Sequence, residues 1–230
     1  MNLSEAVRLE RDKRKRQAFI RREQDILSVC ESLMAEKGVR QVSVDMIAAR
    51  TGIGKGTIYK HFDSKRDMLI AIAARYFAML IELLGRSNDP ARAVSDWIEA
   101  QLYSPRRSLL IHELVATLED DSEALNKIQD ARYQMRKRLA QVLSGSSSTR
   151  GRPFERAMWL DAIVQGALME MESALKSESF DEDEWVESIT RIVPILMSQS
   201  KLKSKARFNI PLTDHDQPIA FDDFTVVERS

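Results

Sequence analysis

Cysteine is almost missing from this chain: Cys30 is the only one in 230 residues. A single thiol cannot build an internal disulfide framework, so the fold has to rest on an apolar core. Histidine is nearly as scarce. Three widely spaced imidazoles and one thiol offer no metal cluster and no nucleophile–base set, and the expectation is a protein that is not an enzyme, with no metal and no cofactor. No run approaches the roughly 20 apolar residues that cross a bilayer. The opening Met1-Asn2-Leu3-Ser4-Glu5 lacks the apolar core of a signal peptide. Both absences predict a cytoplasmic protein with no membrane partner. Eight glycines and six prolines are also few. Against them stand abundant Met, Leu, Ala, Glu, Arg and Lys, a composition that favours helix over sheet.

Net charge is missing too: 35 basic residues balance 35 acidic ones. The distribution is uneven, however. Residues 1–70 hold 15 Lys/Arg and 10 Asp/Glu. A basic first third on an acidic body suggests that one end of the molecule meets an anionic polymer.

Apolar residues recur at helical spacing along most of the chain. Residues 1–16 are polar, end in Arg11-Asp12-Lys13-Arg14-Lys15-Arg16, and read as a flexible basic arm. From about Gln17 a stripe of Phe19, Ile20, Ile26, Leu27, Cys30, Leu33 and Met34 predicts an amphipathic helix that stops at Gly38. Cys30 falls on that stripe as a buried thiol. Ser43 caps a short second helix, which Thr51-Gly52 breaks; a third runs from about Lys55 to His61. Ser64 then caps a long fourth helix, with Asp67 as its capping-box partner.

Five further helical patterns follow Gly85. They open at Asp89-Pro90, Pro105, Ser122, Pro153 and about Glu182, and Pro194 implies a kink or an early end in the last. Residues 144–152 read as a loop, and 202–230 as a tail without sustained period. The expectation is an all-α protein of about nine helices. It divides into an arm (1–16), a three-helix helix-turn-helix domain (17–63), a larger helical domain (64–201) and the tail (202–230).

The most informative stretch is Val42 to Lys65, VSVDMIAARTGIGKGTIYKHFDSK. Two short helices joined by a glycine turn make a helix-turn-helix, which offers its second helix to the major groove. Gly52 supplies the positive φ of the turn. Ile53, Ile58 and Phe62 plug a small core. Lys55, Thr57, Tyr59, Lys60 and His61 then face outward, with charges, hydroxyls and an imidazole suited to phosphates and base edges. Gly54 and Gly56 let backbone approach the sugar-phosphate chain.

This stretch resembles the DNA-binding signature of the TetR (tetracycline-repressor-like) family. The likeness runs from about Gln17 to Leu84 through Gly38, Ser43, Ile47-Ala48, Gly52-Ile53, Gly56-Thr57-Ile58-Tyr59, Phe62, Ser64-Lys65 and Leu69. It implies that Thr57, Tyr59 and Lys65 touch phosphates and that Lys55, Gly56 and Lys60 lie near bases, with Ser43 at the second helix's cap. Two positions depart from the pattern. Gly54 stands where the family often has Ser or Thr, and His61 where it often has an aromatic residue. His61 either contacts phosphate or covers the helix end.

The resemblance further implies a homodimer on a palindromic double-stranded operator, two long helices of each subunit at the seam, and a cavity for an unknown small-molecule effector. Met158, Val164, Leu168, Met171, Ile189 and Val193 form either that seam or an internal core. Trp97, Tyr103, His112, Tyr133 and Trp159 either line the cavity or fill the core. An effector-free DNA-binding protein is the alternative, against which an acidic body of about 150 residues argues mildly. A phosphate-loop enzyme is excluded by pattern: in Gly52-Ile53-Gly54-Lys55-Gly56-Thr57 the lysine is followed by glycine, and a helix precedes. His112-Glu113 likewise lacks a second histidine, since Ala116 occupies its place.

Overall fold

The computed structural model describes residues 3–144, 152–174 and 181–191. Among them are nine α-helices and no strand: α1 (Leu3–Lys37), α2 (Val44–Thr51), α3 (Lys55–Ile58), α4 (Lys65–Leu83), α5 (Pro90–Leu102), α6 (Pro105–Thr117), α7 (Ser122–Ser144), α8 (Pro153–Ala174) and α9 (Glu182–Thr190). The expected all-α architecture is what the chain adopts.

Local chemistry sets the boundaries. Gly38 (φ 88°) and Gly52 (φ 70°) take the left-handed conformation just past α1 and α2, where a side chain would be strained. Ser43 Oγ accepts from the Met46 amide at 3.3 Å, and Ser64 Oγ from the Asp67 amide at 3.2 Å. Asp89 caps α5 ahead of Pro90. At α7 the cap is Asp121 rather than Ser122: its Oδ1 accepts from the Ala124 amide at 3.0 Å.

α1 and α2 pack together with α3 in the helix-turn-helix, while α4 lies along α7 and α7 along α8. A continuous apolar core joins the two parts. It runs from Ile26, Met34 and Ile47 through Met68, Ile72 and Leu80 of α4 to Trp97, Leu114, Leu139 and Leu168. Cys30 lies in that core, as expected, and burial pushes its thiol up to about 12.

Two expectations need correction. Residues 3–16 are not a flexible arm but the first turns of α1, which begins at Leu3 and not near Gln17. They have no apolar stripe for helical periodicity to register. Their Ala, Leu, Glu, Arg and Lys are nonetheless strong helix formers, and no glycine or proline interrupts them. Second, Val164, Leu168 and Met171 of α8 are fully buried inside the protomer and do not form an outward seam. α8 is apolar on two sides. Its other side bears Met158, Trp159 and Met169, which are 41%, 46% and 42% exposed. Ile189 on α9 is half-buried against the same core. Val193 and the tail 202–230 lie outside the described residues.

Candidate nucleic-acid interface

The interface is assembled around one buried anchor. Ile58, fully buried, and Phe62 hold α3 against the helix-turn-helix core. The helical turn continues past Ile58: the Tyr59 amide donates to the Lys55 carbonyl at 2.9 Å and the Phe62 amide to the Ile58 carbonyl at 3.0 Å. With one side pinned, Lys55, Gly56, Thr57, Tyr59 and Lys60 are exposed together on the other. No Cβ contact crowds Gly54 or Gly56, so backbone there is open to close approach. Lys55 pairs with Asp45 of α2, and that hydrogen-bonded pairing raises the lysine's proton affinity. A phosphate arriving at Lys55 therefore competes with one exposed carboxylate.

Two expected contact residues are engaged elsewhere. The His61 side chain is only 7% exposed and lies 3.7 Å from Glu23. Its ring sits on Phe19 of α1, with centroids 4.0 Å apart. It covers the helix end and is not offered to solvent. Lys65 Nζ donates to the Val39 carbonyl at 2.8 Å and the Arg40 carbonyl at 3.4 Å. Partial burial lowers its proton affinity. Lys65 thus grips the turn between α1 and α2, while Ser43 keeps its capping role.

That turn has a second clasp, which the sequence did not disclose. Glu113 Oε1, from α6 of the larger domain, accepts from the Val39 amide at 2.8 Å. Further links join the two parts. Arg66 beside Lys65 pairs with Asp121, and with Glu123 at 3.1 Å. Glu31 of α1 takes both Arg75 of α4 and, at 2.8 Å, Arg107 of α6.

The five aromatic and histidine positions expected in a cavity or in the core differ in burial. Trp97 is fully buried, and Tyr103, Tyr133 and Trp159 are half-exposed. Tyr133 stacks near Phe154 at 5.4 Å. His112 belongs to a polar cluster. Its Nε2 is 2.6 Å from Gln165 Oε1, and Gln165 Nε2 donates to Gln101 Oε1 at 3.2 Å. Tyr76 Oη meets Gln101 Oε1 at 3.3 Å and Ser108 Oγ at 3.0 Å. Burial pushes the Tyr76 hydroxyl up to about 12. The cluster ends on Asp161, fully buried, which accepts from Arg132 Nε at 2.9 Å and Arg136 Nε at 2.6 Å. Five helices, α4 to α8, send polar groups into this core. The Trp97 indole N–H, on the same helix as Gln101, has no hydrogen-bond partner among the described residues. The signal in the sequence was polar residues at core spacing: Gln101 beside Trp97-Ile98 and Leu102, and Asp161 with Gln165 four residues on.

Residues 26–72 match the family model described as bacterial regulatory proteins, tetR family. An HTH-type transcriptional regulator of Staphylococcus aureus (strain MRSA252) is 28% identical over 112 residues. That stretch is 48% of this chain and 60% of the relative, so the chain spans about three fifths of the curated relatives it matches. Among solved structures, a TetR-family transcriptional regulator of Mesorhizobium loti superposes with a TM-score of 0.62 at 17% identity, over 78% of this chain and 96% of that one. The reduced form of E. coli NemR gives 0.60 at 22% identity, over 76% and 96%.

Proposed function

We propose that the chain is a DNA-binding transcriptional repressor of the TetR family of bacterial regulatory proteins, acting as a homodimer and released from its operator by a small-molecule effector. The observation that carries the DNA reading is the exposed turn Lys55–Lys60, stiffened from behind by buried Ile58. Tyr59 and Thr57 hydroxyls meet phosphate oxygens, and Lys55 and Lys60 reach the base edges. Dimerisation puts two such turns in successive major grooves on one face of the duplex, about 34–36 Å apart. Polymerase is then excluded while the dimer sits there.

The effector reading rests on the buried polar cluster. Polar groups in a helical core are tolerated when mutually hydrogen-bonded, and the same groups can exchange those bonds for a ligand's. The unpartnered Trp97 N–H adds a donor that a ligand acceptor would meet. The route outward is short. His112 bonds within the cluster, and the next residue, Glu113, holds the Val39 amide of the helix-turn-helix. A ligand that takes the Gln165–His112 bond moves α6 and loosens that hold. To shift the equilibrium it must prefer the non-DNA state by a few kcal/mol, as an allosteric coupling of ordinary size requires.

The DNA reading is tested by selecting duplexes from a random library with the full chain. A palindromic consensus is expected. Tyr59→Phe should then weaken binding to all duplexes alike, whereas Lys60→Ala should change which base is preferred. Failure to enrich any sequence would overturn it.

A further inference from the structure

We propose that the amino-terminal extension of α1 is a second DNA-binding element: a rigid helical outrigger whose basic side takes the phosphates flanking each half-site, without regard to sequence. The proposal rests on the reading of the chain as a DNA-binding regulator.

Its position comes from Phe19. That ring packs on His61, directly after the exposed turn of α3, so α1 passes the recognition turn at this point. Residues 3–18 continue beyond it as unbroken helix. Sixteen residues rising 1.5 Å each extend roughly 24 Å. That equals the rise of about seven base pairs at 3.4 Å each. From Val7 to Arg22 every residue is exposed, and apart from Phe19 on His61 no packing among the described residues accounts for this length of helix.

Charge along it is predominantly basic: residues 7–22 carry eight Lys/Arg against two Asp/Glu. Arg8, Arg11, Lys15 and Arg22 follow one another at spacings of three, four and seven, and Arg14 flanks them. They share one side of the helix. Glu5, Asp12 and Phe19, at spacings of seven, border that same side, so the basic residues there outnumber the acidic ones without being separated from them. One internal neutralisation is present, Glu10 with Arg14 at 3.6 Å. Both of its side chains are largely exposed, and such pairs hold weakly. A membrane surface is a poorer fit. The exposed Leu9 and Ile20 share a side, but Lys13 and Arg16 interrupt it, so no continuous apolar face exists to insert.

The test uses the full chain and a variant carrying Arg8→Gln, Arg11→Gln, Arg14→Gln and Lys15→Gln. Glutamine keeps the helix, and circular dichroism checks it. Both proteins bind a duplex carrying the selected operator and a scrambled duplex of equal length, over a range of KCl concentrations. Each phosphate that the variant no longer neutralises makes the slope of log K against log salt shallower by about 0.9. A change of that size or more on both duplexes, with a hydroxyl-radical footprint that shrinks at its outer edges, is the expected result. The matching lysine variant, which keeps the charge, should retain the wild-type slope. A glutamine variant with unchanged slope and footprint would overturn the outrigger and leave the recognition turn intact. A wild-type chain that binds no duplex would overturn the regulator reading itself, and the outrigger with it.

Discussion

Around Val39, side chains from two helices meet on the backbone of one turn. Glu113 accepts from its amide, Lys65 donates to its carbonyl, and Gly38 before it takes φ 88° to make the turn. Gly52 makes the equivalent turn after α2 with φ 70°, but nothing lies within 4 Å of where its Cβ would stand. The two glycines should therefore respond differently to alanine. Gly52→Ala meets only the left-handed backbone penalty, about 1–2 kcal/mol. Gly38→Ala meets that penalty and also places a methyl 3.3 Å from Glu113 Oε1, which crowds the Val39 clasp. Urea denaturation should find Gly38→Ala the more destabilising of the pair; equal losses would show that Glu113 yields freely. Such residue roles were unevenly legible. Ile58 and Phe62 could be read as core from spacing alone. His61 could not, because its role depends on Phe19, a residue far away in sequence that packs on it through the fold.

At the scale of elements, the sequence reveals helices that carry an apolar stripe, misses a stretch that has none, and leaves open which side faces inward where there are two. The extension of α1 has no stripe, so its helix was invisible to periodicity. α8 has two, and Leu168 and Met171 belong to the inner one. Ion pairs between elements were hidden for a different reason: Arg66 and Asp121 are ordinary surface residues until α4 lies along α7. This pair makes a prediction about acid. Arg66 beside it, together with the Ala124 amide, holds the Asp121 carboxyl down at about 2, against an ordinary value near 3.9. A depressed carboxylate contributes stability that is complete above the unfolded value and is lost as pH falls through the folded one. The window is thus about pH 4 down to 2. Asp121→Asn keeps a capping acceptor for α7 and removes the charge. Its urea midpoint should lie below wild type at neutral pH and converge with it towards pH 2; a constant gap would mean the loss is not electrostatic. Asp161 sits deeper, and its removal should be harsher. Asp161→Ala leaves Arg132 and Arg136 facing a buried void, and breaking a buried pair in this way costs about 3–5 kcal/mol. A variant as stable as wild type would show that both guanidinium groups reach water instead.

For the whole molecule, the outer side of α8 is the feature that a lone protomer leaves unexplained. Met158, Trp159, Ala162, Ile163, Gly166 and Met169 recur there at spacings of three and four, and Ala162 and Gly166 are exposed as well. Gly166 sits within the helix at a cost of about 1 kcal/mol relative to alanine, yet a Cβ there would meet nothing within 4 Å in the protomer. A second copy seated there would explain both facts. Small residues at the centre of the stripe would let two α8 helices approach closely, with Trp159 and Met169 at the edges, as a two-fold interface repeats the same patch on each subunit. One helix-turn-helix alone contacts few base pairs and discriminates poorly, so operator affinity should depend on this pairing. Trp159→Glu with Met169→Glu would bury carboxylates in the seam while leaving the protomer's inner core untouched. The wild type should sediment as a dimer at micromolar concentration, and the double variant as a folded monomer with little operator affinity. Leu168→Glu should instead unfold the protomer, because that side chain is fully buried within it. Placed together, the two variants separate seam from core. If the outer-face variant still sediments as a dimer with full helix content, the subunits meet elsewhere and the glycine in α8 needs another explanation.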